Sequence, residues 1–207
     1  MKKLMPLLFK PFYKLLYPKI VWNFSRNEKN IYLTFDDGPI PELTEWILDE
    51  LDKFNAKATF FCVGSNIINN PSIFEKIIKS GHAVANHSMN HLKGFKLNIE
   101  EFMQNAEECE ILIKNKYFRP PFGQMTPAQY KAIVEKNFQI IYWDVFSGDY
   151  LEISPQECAK TVIKKTRNGS IVLFHDNLKS ESNLRHALPI VLKHFSEQNY
   201  NFVKIEL

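Results

Sequence analysis

From residue 29 onward, short runs rich in β-branched and aromatic residues alternate with longer segments of helical period, which restricts the chain to a mostly parallel sheet with helical crossovers. The strand-like runs are 30–35, 58–63, 82–86, 117–120, 139–145, 170–175 and 201–207. Seven strands are enough to close a barrel. Between the first two runs, Leu43, Trp46, Ile47, Leu51 and Phe54 fall on one face at a period near 3.6, as expected of a helix packed outside the sheet. Ser72-Ile73-Phe74-Glu75, Thr126-Pro127-Ala128-Gln129 and Ser154-Pro155-Gln156-Glu157 read as helix-capping boxes, and Gly81 and Gly169 as helix ends.

A chain of 207 residues fits one such domain, placed here at 30–207 behind an extension at 1–29. With 45% hydrophobic and 24% charged residues it is an ordinary globular chain. A net charge of +3 without a basic stripe argues against nucleic acid as partner. Cys62, Cys109 and Cys158 are odd in number and widely spaced, so they read as buried thiols and not as disulfides or zinc thiolates. The N-terminus starts like a signal peptide, but Lys10 and Lys14 interrupt it and no small-residue cleavage site follows, so the chain reads as cytoplasmic. Residues 4–17 are too short to span a bilayer and read as a strap on the domain or a basic helix in weak contact with a membrane surface.

In a parallel β/α fold all strand C-terminal ends lie on one rim, where polar residues meet. The predicted rim carries Asp36 and Asp37, then His87 and His91, Arg119, Asp144 and Asp149, and His175. Concentration of these residue types on one rim favours a site over scattered surface groups. Adjacent acids repel unless a cation lies near, so Asp36-Asp37-Gly38 reads equally as a metal-bearing pair or a solvated turn. His87 and His91, four residues apart, read alone as a solvated pair; with one carboxylate they make a three-ligand site that leaves a position for water.

Thr34-Phe35-Asp36-Asp37-Gly38-Pro39, His87-Ser88-x-x-His91, Arg119-Pro120-Pro121-Phe122 and Leu173-Phe174-His175 resemble, in order, four motifs of the NodB-homology polysaccharide deacetylases, carbohydrate esterase family 4. The resemblance implies a distorted, incomplete (β/α) barrel of about seven mostly parallel strands. It implies metal-dependent removal of N-acetyl groups from N-acetylglucosamine units of a peptidoglycan- or chitin-type glycan. Carried over, Asp37, His87 and His91 would hold a divalent metal, zinc foremost with cobalt, manganese or nickel as options. Asp36 would be the base, Arg119 its orienting partner and His175 the acid; a backbone N–H near Phe122 would stabilise the oxyanion. Phe122, Trp143, Tyr150 and Leu173 would line the substrate pocket, with core packing the stronger reading for Trp143. The chain departs from the family's D-x-x-D-W motif, since Phe146 stands at its first aspartate and Tyr150 at its tryptophan. Asp149 is then the preferred supporting carboxylate, with Asp144, two residues before Phe146, as the alternative. Asp176, next to His175, reads as a turn or helix-capping residue. Other readings are an O-acetyl-ester or formyl-sugar deacylase using the same site, and a silent carbohydrate-binding protein. Oligomeric state is not legible.

Overall fold

The computed structural model describes residues 14–206, so most of the segment 4–17 lies outside the described residues. Among the described residues no helix is long and apolar enough to cross a membrane. The strands are β1 (Ile20–Val21), β2 (Asn30–Asp36), β3 (Thr59–Cys62), β4 (Ala83–Asn86), β5 (Tyr117–Phe118), β6 (Gln139–Ile141), β7 (Val145–Phe146), β8 (Ser170–His175) and β9 (Asn201–Phe202). They form one sheet in the order β1-β6-β5-β4-β3-β2-β8-β7, with β9 also on β2, and every strand pairing is parallel. The helices are α1 (Leu43–Asp52), α2 (Gly64–Asn69), α3 (Pro71–Lys79), α4 (Ile99–Ile113), α5 (Pro127–Glu135), α6 (Pro155–Lys165) and α7 (Glu181–Ser196).

The expected incomplete barrel is therefore present, built from more strands than the sequence suggested. Residues 20–21 add an edge strand beside β6, and the expected strand 139–145 is two strands, β6 and β7. These two lie six positions apart in the strand order, roughly 29 Å in a flat sheet at about 4.8 Å per strand. The link from Ile141 to Val145 reaches at most about 14 Å. A flat sheet is therefore impossible, and the sheet curls until its edges approach. The crossing is visible in the hydrogen bonds, since Tyr142 N donates to Val21 O at 2.8 Å and Asp144 N to Ile171 O at 3.2 Å. Tyr142–Asp144 is the seam of the barrel.

Strand alternation sorts the rest. Ile31, Leu33 and Phe35 pack with Leu43, Ile47 and Leu188 beneath α1 and α7. Thr34 and Asp36 point to the opposite, inner face, where the register sets them beside Leu173 and His175 of β8. Inner positions low in the barrel are apolar; those at the strand ends are charged.

Local signals held in part. Thr126 forms the full capping box with Gln129, and Ser154 accepts from Glu157 N. Gly81 follows α3 at φ +80, as a left-handed helix end requires. Ser72 is not a cap: Pro71 occupies the first helical position, whose missing N–H costs nothing there, and the helix starts from Asn70. Gly169 does not end α6, whose cap is Thr166; it makes a tight turn against the N-terminal segment, where a Cβ would lie 2.2 Å from Ser25 O.

Trp22, next to β1, is 2% exposed and meets Tyr142 of the seam edge-on at 4.9 Å. Trp22→Ala should therefore destabilise the fold by about 3–5 kcal/mol in urea denaturation, whereas a residue in a merely superficial strap would move stability by about 0.5 kcal/mol or less.

Candidate active site

Each residue on the rim is set by the last rung of the ladder beside it. Asp37 N donates to Phe61 O, His87 N to Cys62 O and Arg119 N to Asn86 O, so all three leave neighbouring strands at one level. The loop after β4 then turns back through Ser88 (φ 64) and His91 (φ 51), closing on His91 N to Ser88 Oγ at 3.1 Å. That loop, not a helical turn, brings the two imidazoles together, with ring centroids 5.1 Å apart.

Asp37, His87 and His91 converge, with one ligand atom from each lying within 4.8 Å of the others. His87 Nδ1 is 2.8 Å from Arg119 O, which only accepts, so a neutral His87 carries its proton on Nδ1 and turns the Nε2 lone pair inward. Asp37 Oδ1 is buried without a hydrogen-bond partner, 3.5 Å from His87 Nε2 and 3.0 Å from His91 Nε2. Burial works to raise the Asp37 carboxyl, but His87, His91 and the charge of His175 hold it well below the ordinary carboxylate range. A carboxylate oxygen and imidazole nitrogens facing each other at such distances fit a divalent cation.

Arg119 is fully buried beneath this cluster. Its Nη1 donates to Asp36 Oδ1 at 2.6 Å and Thr34 Oγ1 at 2.9 Å, its Nε to Ile141 O at 2.9 Å and its Nη2 to Tyr142 O at 2.9 Å. The guanidinium also lies 3.8 Å over the Phe61 ring. Burial lowers its pKa from the ordinary value, against the support of Asp36.

His175 completes the rim. Asp149, fully buried, accepts His175 N at 2.6 Å on Oδ2 and stands 2.8 Å from His175 Nδ1 on Oδ1. Burial opposes the imidazolium charge, yet Asp149 first, then Asp37 and Asp36, push the pKa of His175 up to about 9. Tyr150 meets the imidazole edge-on at 4.6 Å and Phe146 at 6.4 Å. Phe122, 46% exposed, tilts against His91 at 4.7 Å. Trp143 and Leu173 are buried in the barrel interior, with Trp143 stacked on Tyr142 and 5.5 Å from the Arg119 guanidinium.

Two readings are corrected. Asp144 is not at the site: it pairs with Arg26 at 2.6 Å and accepts Ile171 N at 2.8 Å, against the start of β8 while His175 stands at its end. The same-face argument failed because residues 142–144 form the seam and not a strand. Asp176, expected as a turn or capping residue, is fully buried; Thr44 Oγ1 donates to its Oδ2 at 2.6 Å, and burial pushes its carboxyl up to about 7. That carboxyl fills the space above Gly38, where a Cβ would fall 2.1 Å from Asp176 Oδ2. The sequence reading also missed Thr34, Asn66 and Asn177. Asn66 Nδ2 donates to Asp37 O at 2.7 Å, and Asn177 Nδ2 to Asp37 Oδ2.

Residues 24–141 match the family model described as polysaccharide deacetylase. The chain belongs to the polysaccharide deacetylase family. It is 33% identical over 198 residues to a peptidoglycan-N-acetylglucosamine deacetylase of Bacillus cereus, covering 90% of this chain and 91% of the relative. It is also 32% identical over 189 residues to the peptidoglycan-N-acetylglucosamine deacetylase PgdA of Listeria monocytogenes, covering 88% of this chain but spanning only 39% of that longer protein. Among solved structures it is similar to a peptidoglycan N-acetylglucosamine deacetylase crystallised with 4-naphthalen-1-yl-N-oxidanyl-benzamide, at a TM-score of 0.88 and 29% identity over 94% of each chain. As a member of this family the protein is a deacetylase, a hydrolase.

The Arg119–Asp36 pair yields a direct test. Arg119→Met leaves a carboxylate that is 3% exposed without its cation and strips two backbone carbonyls of their donor. A loss of about 3–5 kcal/mol in urea denaturation is expected.

Proposed function

We propose that this deacetylase is metal-dependent and removes the N-acetyl group from N-acetylglucosamine units of a peptidoglycan- or chitin-type glycan. The observation that carries the reading is the convergence of Asp37 Oδ1, His87 Nε2 and His91 Nε2, flanked by an Arg119-bound carboxylate and an Asp149-bound imidazole. Asp37, His87 and His91 would hold the ion, zinc being the best match to this donor set. When bound, the ion supplies Lewis acidity, lowering the pKa of water and polarising the acetyl carbonyl.

Arg119 fixes Asp36 Oδ1, so Oδ2, 3.7 Å from His87 Nε2, is the oxygen that takes a proton from water at the site. His175 Nδ1 faces Asp149, which leaves Nε2–H to protonate the departing nitrogen. An amide leaves as an amine only when protonated, whereas an ester's oxygen needs less help. Asp149 binds both the ring and the backbone N–H of His175, and that investment in one acid favours an N-acetyl over an O-acetyl substrate. The silent-binding reading is disfavoured by the presence of every ligand and both proton-transfer residues. N-acetylglucosamine is supported by the names of the similar Bacillus and Listeria enzymes.

Acetate release from N-acetylglucosamine oligomers tests the reading. A chelator should abolish it and zinc restore it; release that survives complete metal removal would sink the proposal. Asp36→Asn should lower kcat by about 10²–10⁴-fold, and His175→Ala should do the same with amide substrates but cost acetyl esters far less.

The pH dependence follows from His175. An acid with its pKa raised to about 9 is protonated at neutral pH and loses its proton as pH rises, so activity should fall on the alkaline side. A bound cation offsets the carboxylates that raise this pKa. In the metal-free protein His175 should titrate near 9 by NMR, and the alkaline limb of kcat in the zinc enzyme should lie lower.

A further inference from the structure

We propose that Asn177 and Asn66 are positioning residues that hold Asp37 as a one-oxygen ligand, and that Asn177 thereby tunes the affinity and coordination of the ion. This rests on the metal-centre reading above. Asp37 has φ +88, a backbone conformation that L-residues rarely adopt and that persists only where the surroundings enforce it. Three contacts do so. Its N–H donates to Phe61 O, its carbonyl accepts Asn66 Nδ2 from α2, and its Oδ2 accepts Asn177 Nδ2 from the loop after β8.

The orientation of the Asn177 amide is dictated by its other end. Asn177 Oδ1 accepts from both Ser180 N and Ser180 Oγ at 3.0 Å, so its oxygen cannot face Asp37 and its NH₂ must. The amide therefore ties the carboxylate to the start of α7. With Oδ2 tied, Oδ1 alone faces His87 and His91. A carboxylate free at both oxygens can rotate or bind through both; this one is held ready in a single pose. Hydrogen bonds of this kind to a ligand's far side are worth about 10–100-fold in metal affinity.

Asn177→Ser is the informative variant, since its shorter hydroxyl keeps an acceptor for Ser180 N–H while the NH₂ that reaches Asp37 Oδ2 is removed. Zinc affinity is read by competition with a chromogenic chelator, and coordination by the visible absorption of the cobalt-loaded protein. Zinc binding should weaken by about 10–100-fold, and the cobalt bands should weaken as Asp37 adds its second oxygen and the coordination number rises. The metal-free melting temperature should stay near that of the wild type. Asn66→Ala, which frees the Asp37 carbonyl instead, should also weaken zinc binding and supplies the reading if Asn177→Ser does not fold. Wild-type zinc affinity and an unchanged cobalt spectrum in these variants would overturn the clamp while leaving the metal centre intact. A wild-type protein that takes up neither ion would overturn the metal centre and the clamp with it.

Discussion

The Arg119 guanidinium is the group on which both barrel and site depend. Placing a permanent cation at zero exposure costs several kcal/mol unless its donors and charge are met. Here one carboxylate, one hydroxyl and two carbonyls meet it. The two carbonyls belong to Ile141 and Tyr142, where the chain leaves β6 to cross the seam and backbone groups need partners outside the regular ladder. The carboxylate is Asp36, the proposed base. One side chain thus satisfies the closure of the barrel and orients the Asp36 carboxylate, so a shift in the seam would be felt at Asp36. The Thr34 hydroxyl adds a third direction, donating to Val172 O while accepting from Arg119. Even the proposed metal ligands join in, because the Arg119 carbonyl is what turns His87.

Much of this was legible from the sequence. The parallel β/α alternation and the rim location of Asp36, Asp37, His87, His91, Arg119, Asp149 and His175 follow from periodicity and strand direction, whereas the joining of Asp37 with the two imidazoles was legible through the family resemblance. The seam was not legible. Residues 140–143 and Val145 are strand-forming with the single Asp144 between them, and what splits the run at 142–144 is the distance between the sheet's edges, a property of the closed barrel. The misplacement of Asp144 descends from that one error. Asn66 and Asn177 were hidden for another reason: an asparagine in a short helix or a turn is ordinary, and only three dimensions show that their NH₂ groups meet the Asp37 carbonyl and carboxylate. Asp176 escaped because local sequence does not reveal that the turn after β8 is covered by Thr44 of α1.

Phe146 and Tyr150 stand where the chain departs from the family's D-x-x-D-W motif, and the structure shows what surrounds Phe146 where an acid was expected. A carboxylate at that strand end is not needed to balance Arg119, which already donates to Asp36, Thr34 and the two seam carbonyls. Phe146 instead packs against Tyr150 at 5.5 Å, and both rings flank His175. Apolar walls disfavour the imidazolium by desolvation, but they also strip water from the His175–Asp149 pair and so strengthen its attraction. The raised pKa of His175 shows that the attraction prevails. With Phe146 in place, Asp149 is the carboxylate in direct contact with His175, and the charges of Asp37 and Asp36 add to its effect from across the site. The charge of Asp36 already couples the proposed base to the proposed acid; Phe146 adds no further carboxylate to that field, while Arg119 holds the one group and Asp149 the other.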